Sequence, residues 1–371
     1  MLAKDPELDV RVFYEWEGPA TLDREFGRAV AWDIPLLDGY DHRFLTNRSR
    51  NPGSHNFRGI DNPGVVNEIR SWKPDALLVY GWAFASHLRV LRELHREVPI
   101  LFRGDSTLVD EKGRMRTVAR RLALRWVYRH IDLALYTGKL NRAYFRAHGV
   151  PGDRLVWAPH AVDNAHFCAA SAVREFEAVA WRRRLGIAAE DTVFLFAGKL
   201  VPRKDPGTLL EAFLRLRNVK PEEGAQIVFV GDGKLSDMLK ATAAGRSDVH
   251  FVGFQNQTVM PAVYRVGDVF VLPSVHGETW GLAVNEAMAC ARPVIVSDRV
   301  GCAADLVRPG STGLVFDSRD PQGLQAAMAV LLGNRAMRAE MGRQALALID
   351  AWSIEEYTSV VSRVVKSIGQ R

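Results

Sequence analysis

Cysteine is scarce: the 371 residues contain three, Cys168, Cys290 and Cys302, with no C-x-x-C spacing. That argues against a disulfide framework and fits a reducing, cytosolic setting. Long hydrophobic runs are also missing, so no membrane-spanning helix is expected, and the opening MLAKDPELDV lacks the apolar core of a secretory signal. There is no G-x-x-x-x-G-K-[ST], no H-E-x-x-H, no G-x-S-x-G and no D-x-D. P-loop hydrolysis, zincin chemistry and a serine nucleophile elbow therefore have no support. Without D-x-D, a magnesium-bridged diphosphate is not expected, and no metal or other cofactor is called for.

What is present is ordinary for a globular chain, 47% hydrophobic and 25% charged, and the length allows two domains. A net charge of +6 permits anionic partners such as nucleotides, lipid headgroups or nucleic acid without choosing among them. Short apolar runs alternate with amphipathic segments, the pattern of βαβ units on parallel sheets. Strands are expected at DVRVFY, DALLVYG, PILFRGD, LALYTG and RLVWAP, then at TVFLFAG, AQIVFVGDG, VHFVGF, DVFVLPS, RPVIVSD and TGLVF. The pattern predicts two doubly wound, Rossmann-like domains, residues 1–165 and 166–353, with a closing helix at about 354–371 returning to the first. A Rossmann-like half ordinarily begins with a strand, a loop and a helix. This chain opens instead in what reads as the tail of a helix, so the N-terminal domain is expected to lack its first β-strand unit.

Two stretches carry chemistry. In HGETWGLAVNEAMA, Glu278 sits in a turn after a strand and Glu286 in the helix beyond. Gly281 allows close backbone approach, and the amides around Trp280 to Ala283 suit a phosphate at the helix start. The two carboxylates then suit sugar and ribose hydroxyls on either side of it. On spacing alone, a solvated loop residue and a helix-surface residue read as well. In FAGKLVPRKDPG, a strand ends at Gly198, and Lys199, Arg203 and Lys204 follow at the edge where ligands bind open α/β sheets. Three cations there would clamp a pyrophosphate. Gly231-Asp232-Gly233 reads better as a tight turn than as a phosphate loop, and HFVGF brings Phe254 to the same edge, where its backbone could meet a base.

HGETWGLAVNEAMACARPVIVSD followed by GCAADLVRPGSTGLVF resembles the E-x7-E region of the family-4 retaining glycosyltransferases of GT-B fold. FAGKLVPRKDPGTLLEAF is similar to that family's diphosphate loop, WAPHAVDNAHF to its interdomain segment and AWSIEEYTSVV to its closing helix, so the likeness runs over about residues 155–360. The resemblance implies two Rossmann-like domains facing a cleft and a metal-independent transfer of sugar from a nucleotide-diphosphate sugar to a glycan or lipid-linked acceptor of an envelope polysaccharide. It assigns Glu278 to the donor sugar and Glu286 to the ribose. Thr279, Trp280, Gly281 and Leu282 would make backbone or close contacts, with Lys199 and Lys204 on the pyrophosphate. Lys199 stands where Arg is usual, His160-Ala161 for Asn-Gly, Gly301-Cys302 for Gly-Gly and Asp305 for Glu. Asp105, beside Arg103 in PILFRGDST, stands where the family often carries a His-Asp pair, and would orient the acceptor or donor sugar; a turn-capping Asp is the equal alternative. A nucleotide-sugar epimerase of the same fold, or a membrane-associated scaffold on a decayed transferase fold, remain open.

Residues 112–130, KGRMRTVARRLALRWVYRH, hold seven basic side chains (Lys and Arg) and no acid. Met115, Val118, Leu122 and Trp126 share a helical face. That stripe is expected to pack inward with the arginines in water; the alternative is docking on an anionic membrane, while a nucleic-acid partner is not expected.

Overall fold

The structure, a computed structural model, describes all residues except 18–21, 24–27, 30, 112, 370 and 371, and of 22, 23, 28, 29, 114 and 369 it describes the backbone alone. Among the described residues there are fourteen strands. They are β1 (Arg11–Tyr14), β2 (Leu22–Asp23), β3 (Arg28–Ala29), β4 (Asp41–Phe44), β5 (Leu77–Tyr80), β6 (Ile100–Arg103), β7 (Leu133–Tyr136), β8 (Leu155–Trp157), β9 (Thr192–Ala197), β10 (Ala225–Val230), β11 (Val249–Gly253), β12 (Val269–Leu272), β13 (Val294–Ser297) and β14 (Gly313–Phe316). Two compact units form: Met1–Pro19, Pro35–Pro159 and Ile354–Arg371 in one, Ala20–Ile34 and His160–Ser353 in the other.

In the first unit, β5-β6-β7-β8 make a four-stranded parallel sheet, and β1 pairs with β4 in parallel separately. Flanking helices turn apolar stripes toward the core of this unit; helix Ala85–Leu94, for example, buries Val90, Leu91 and Leu94. The closing helix Ile354–Gly369 lays Val360 and Val361 against Leu101, Leu135 and Ala158. An apolar cavity of about 570 Å³ lies between β1 and β5, lined by Val12, Tyr14, Leu78 and Val79 among others. The chain starts in a single 3₁₀ turn, Leu2–Lys4, where the sequence suggested the tail of an α-helix.

One expectation is overturned here. On helix Arg114–Tyr128 the buried residues are Leu124, Val127 and Tyr128, whereas Met115, Val118, Leu122 and Trp126 are exposed by 87, 53, 63 and 39%. The stripe expected to face the core faces out, because a second apolar set on the opposite side fills the core instead. Lys112 lies outside the described residues.

The second unit is a six-stranded parallel sheet in the order β11-β10-β9-β12-β13-β14. β9, β12 and β13 are buried along their whole length, as expected of strands covered on both faces. From β9 the chain winds outward through β10 and β11, then returns to add β12, β13 and β14 on the other side of β9. Winding thus reverses between β9 and β12, and the carboxyl ends of these two strands mark the switch point at which open α/β sheets bind ligands.

Candidate active site

The loop after β9 begins at Gly198 and turns through the 3₁₀ segment Pro202–Lys204. Asp205 then adopts a left-handed conformation, φ 47°, which Asp tolerates better than most residues. It also caps helix Pro206–Val219, its side chain accepting from the Thr208 amide at 3.3 Å while Pro206 fixes the first turn. This sharp reversal turns Lys204 back toward the β12 loop.

The β12 loop meets it. Lys204 Nζ donates to Glu278 Oε2 at 2.7 Å, and Ser274 Oγ donates to the same oxygen at 3.1 Å. Both charged side chains are largely covered, 12 and 13% exposed, so the pair is screened less than a surface bridge. The Val275 amide also donates to the Arg203 carbonyl at 2.9 Å, fastening the two loops together. Lys199 and Arg203 are half-buried in the same loop.

Glu286 lies on helix Leu282–Ala289, partly buried, and accepts the Tyr264 hydroxyl at 2.6 Å. Burial lifts its carboxyl to about 7, against the pull of the Tyr264 hydrogen bond and the Lys204 charge, both of which lower it. The same burial, with the Glu286 charge adding to it, pushes the Tyr264 hydroxyl well above its ordinary range. Lys204 therefore touches one carboxylate and acts electrostatically on the other, and Glu286 is no solvated helix-surface residue.

The intervening turn is closely packed. Gly281 takes φ 99°, a left-handed conformation, and a Cβ there would meet Val300 Cγ1 at 3.0 Å and Leu272 Cδ2 at 3.1 Å. The amides of Gly301 and Cys302 donate to the carbonyls of Glu278 and Trp280 at 3.0 and 2.9 Å. The Trp280 ring turns into the core, its indole N–H donating to Asn285 Oδ1 at 2.9 Å while it packs on Trp352 and His160. Trp280 can offer a ligand its backbone but not its ring. Thr279 lies in the turn, and Leu282 starts the helix with its side chain exposed.

Gly231 and Gly233 make a close-packed turn: a Cβ on Gly231 would lie 2.0 Å from the Gly198 carbonyl oxygen, and one on Gly233 2.5 Å from that of Leu200. Asp232 accepts the Phe254 amide at 3.1 Å, so of the backbone groups expected to meet a base, that donor is engaged. Asp105 lies in the first unit just past β6. Its neighbour Arg103 is buried, with its guanidinium donating to the Ala158 and Pro159 carbonyls at 3.0 and 2.9 Å and stacking 4.6 Å from the Tyr357 ring centroid. That fixes Arg103 as a structural residue.

Residues missed by sequence reasoning are Ser274, Tyr264, Asn285 and Gly301. Ser274, Asn285 and Gly301 lie inside the quoted stretches, Gly301 noted there as half of the Gly301-Cys302 pair; Tyr264 left no signal.

Residues 178–347 match the family described as Glycosyl transferases group 1. The chain is 33% identical over 194 residues to the D-inositol 3-phosphate glycosyltransferase of Salinispora tropica, covering 50% of this chain and 40% of the relative. To that of Acidothermus cellulolyticus it is 33% identical over 210 residues, 54% of this chain and 45% of the relative. It thus spans less than half the length of these curated relatives. Among solved structures, HepE of Anabaena in complex with UDP superposes with a TM-score of 0.70 at 18% identity, covering 88% of this chain and 86% of that one. Sucrose-phosphate synthase of Thermosynechococcus elongatus gives 0.69 at 19%, covering 97 and 89%. These likenesses establish the fold: two Rossmann-like domains of GT-B type.

Proposed function

We propose that this protein is a retaining glycosyltransferase that moves a hexosyl group from a nucleotide-diphosphate sugar to a glycan or lipid-linked acceptor, with no resident metal. The observation that carries the reading is the Lys204–Glu278 pair, 2.7 Å apart at the switch point between β9 and β12, with Glu286 on the following helix. The UDP in the HepE complex and the names of the curated relatives support a nucleotide-sugar donor.

In this reading the diphosphate lies between the β9 loop and the start of helix Leu282–Ala289, where Lys199, Arg203 and Lys204 supply the counter-charge a metal would otherwise give. Glu278 accepts from sugar hydroxyls and Glu286 from the ribose. The bond from sugar C1 to the diphosphate oxygen breaks, the acceptor oxygen attacks C1 from the same face, and the acceptor proton passes to the departing phosphate oxygen. Lys204 stabilises the charge that grows on that oxygen. Asp105 would orient the acceptor or donor sugar.

The test is release of nucleoside diphosphate from a panel of nucleotide sugars in the presence of glycan and lipid-linked acceptors, with the anomeric configuration of the product read by NMR. Retention with acceptor-dependent release supports the reading; conversion of the donor without an acceptor replaces it with an epimerase.

Glu286 supplies a pH prediction. Its carboxyl is raised from 4.5 to about 7, so its contribution to stability is fully present below pH 4.5 and is lost as pH rises through about 7. Donor binding runs the other way, since the ionised form is the better acceptor for ribose hydroxyls. The affinity for a nucleotide sugar should therefore climb as pH rises through about 7, and Glu286→Gln should flatten the profile. Calorimetric titration across that range checks it; an unaltered profile in the variant removes Glu286 from the ribose site.

A further inference from the structure

Helix Arg114–Tyr128 has two apolar faces. The inner one, Leu124, Val127 and Tyr128, is buried in the core of the first unit, and Arg120 adds a hydrogen bond to the Tyr144 hydroxyl at 3.0 Å. The outer one is left uncovered: Met115, Val118, Ala119, Leu122 and Trp126 are all exposed. At about 100° per residue they fall within an arc of roughly 100°. Arg121 and Arg125 border that arc on one side and Arg116 on the other, with Arg129 at its end. Of these, Arg121 approaches Glu111 at 3.8 Å, while Arg116, Arg125 and Arg129 form no ion pair among the described residues. At the far end the Trp126 ring lies beneath the Arg92 guanidinium, 5.6 Å from centroid to carbon.

A single exposed leucine needs no explanation, but a continuous apolar stripe framed by arginines does. Repulsion among the unpaired arginines, and apolar area left in water, both disappear on one kind of surface: apolar inside, anionic at its edge. We propose that this face docks flat on an anionic lipid bilayer. Met115, Val118 and Leu122 enter the acyl boundary, Trp126 sits at headgroup depth, and the arginines pair with lipid phosphates. A nucleic acid would satisfy the arginines alone and leave the stripe in water. The inner face already holds the helix folded, so docking requires no coil-to-helix transition. At 15 residues the helix offers about 22 Å of contact length. The proposal stands independently of the nucleotide site.

The experiment is flotation of the full chain with phosphatidylcholine vesicles and with vesicles in which about one-third of the lipid is phosphatidylglycerol, at low and high salt. Binding should be confined to the anionic vesicles and weaken with salt. Arg125→Ala should reduce the partition about fivefold, equivalent to ~1 kcal/mol. Leu122→Glu and, separately, Met115→Glu should each reduce it more than about tenfold. Both positions are exposed, so unfolding midpoints should hold, and agreement between the two variants separates docking from misfolding. Equal binding to neutral vesicles, unaltered binding by both glutamate variants, or RNA binding with no vesicle binding would each overturn the proposal.

Discussion

Lys204→Ala is expected to lower sugar transfer by about 10²- to 10³-fold, the usual cost of removing one preorganised group that stabilises charge in a transition state. Two effects combine. The departing diphosphate loses its nearest counter-charge, and Glu278, whose side chain is only 13% exposed, loses the ammonium 2.7 Å away. A carboxylate left without its partner in such a position costs about 1–3 kcal/mol of stability. Unfolding midpoints should therefore fall in Lys204→Ala and in Glu278→Ala, while the double variant should lose less than the sum. Lys204→Arg should recover stability better than turnover, because a guanidinium keeps the charge but spreads it over a planar fork where the ammonium is a compact point charge. If Lys204→Ala turns over at the wild-type rate, the lysine is a structural counter-ion only.

Gly301→Ala is expected to do comparable damage without touching any charge. A Cβ at this position would lie 1.8 Å from the Thr279 carbonyl oxygen and 2.4 Å from its carbon, distances that backbone cannot accommodate without moving. The Gly301 and Cys302 amides brace the turn that presents Glu278, so the shift is transmitted to the carboxylate. We expect a loss of about 3 kcal/mol or more, in the range of overpacked core sites, and loss of donor binding. Gly152→Ala, where nothing lies within 4 Å of the added Cβ, is the control and should unfold as wild type does. Thermal unfolding and calorimetry on both variants decide it; a Gly301→Ala protein that binds donor normally would show that the brace is dispensable.

Most strands were legible because strands covered on both faces become continuous apolar runs: VFLFA and VFVL admit few other readings. β4, Asp41-His-Arg-Phe, was not, since it lies with β1 in a two-stranded sheet among the described residues and carries polar, mostly exposed side chains. The Glu278 and Lys204 loops were legible for a related reason, because two buried strands each ended in charge. Tyr264 was not, since its link to Glu286 crosses 22 residues and follows no local spacing. Helix Arg114–Tyr128 shows the limit of periodicity most plainly. Its sequence holds two apolar stripes, and only the packing of Leu124, Val127 and Tyr128 decides which one is buried.

The central claim is that a nucleoside diphosphate binds where the β9 and β12 loops meet, held by protein cations. Its most direct test is calorimetric titration with UDP, GDP and ADP, in EDTA and in Mg²⁺, on wild type and Lys204→Ala. We predict that one of the three binds with the same affinity in both buffers and about tenfold or more weaker in the variant. Binding that requires Mg²⁺, or no binding by any of the three, would contradict the account.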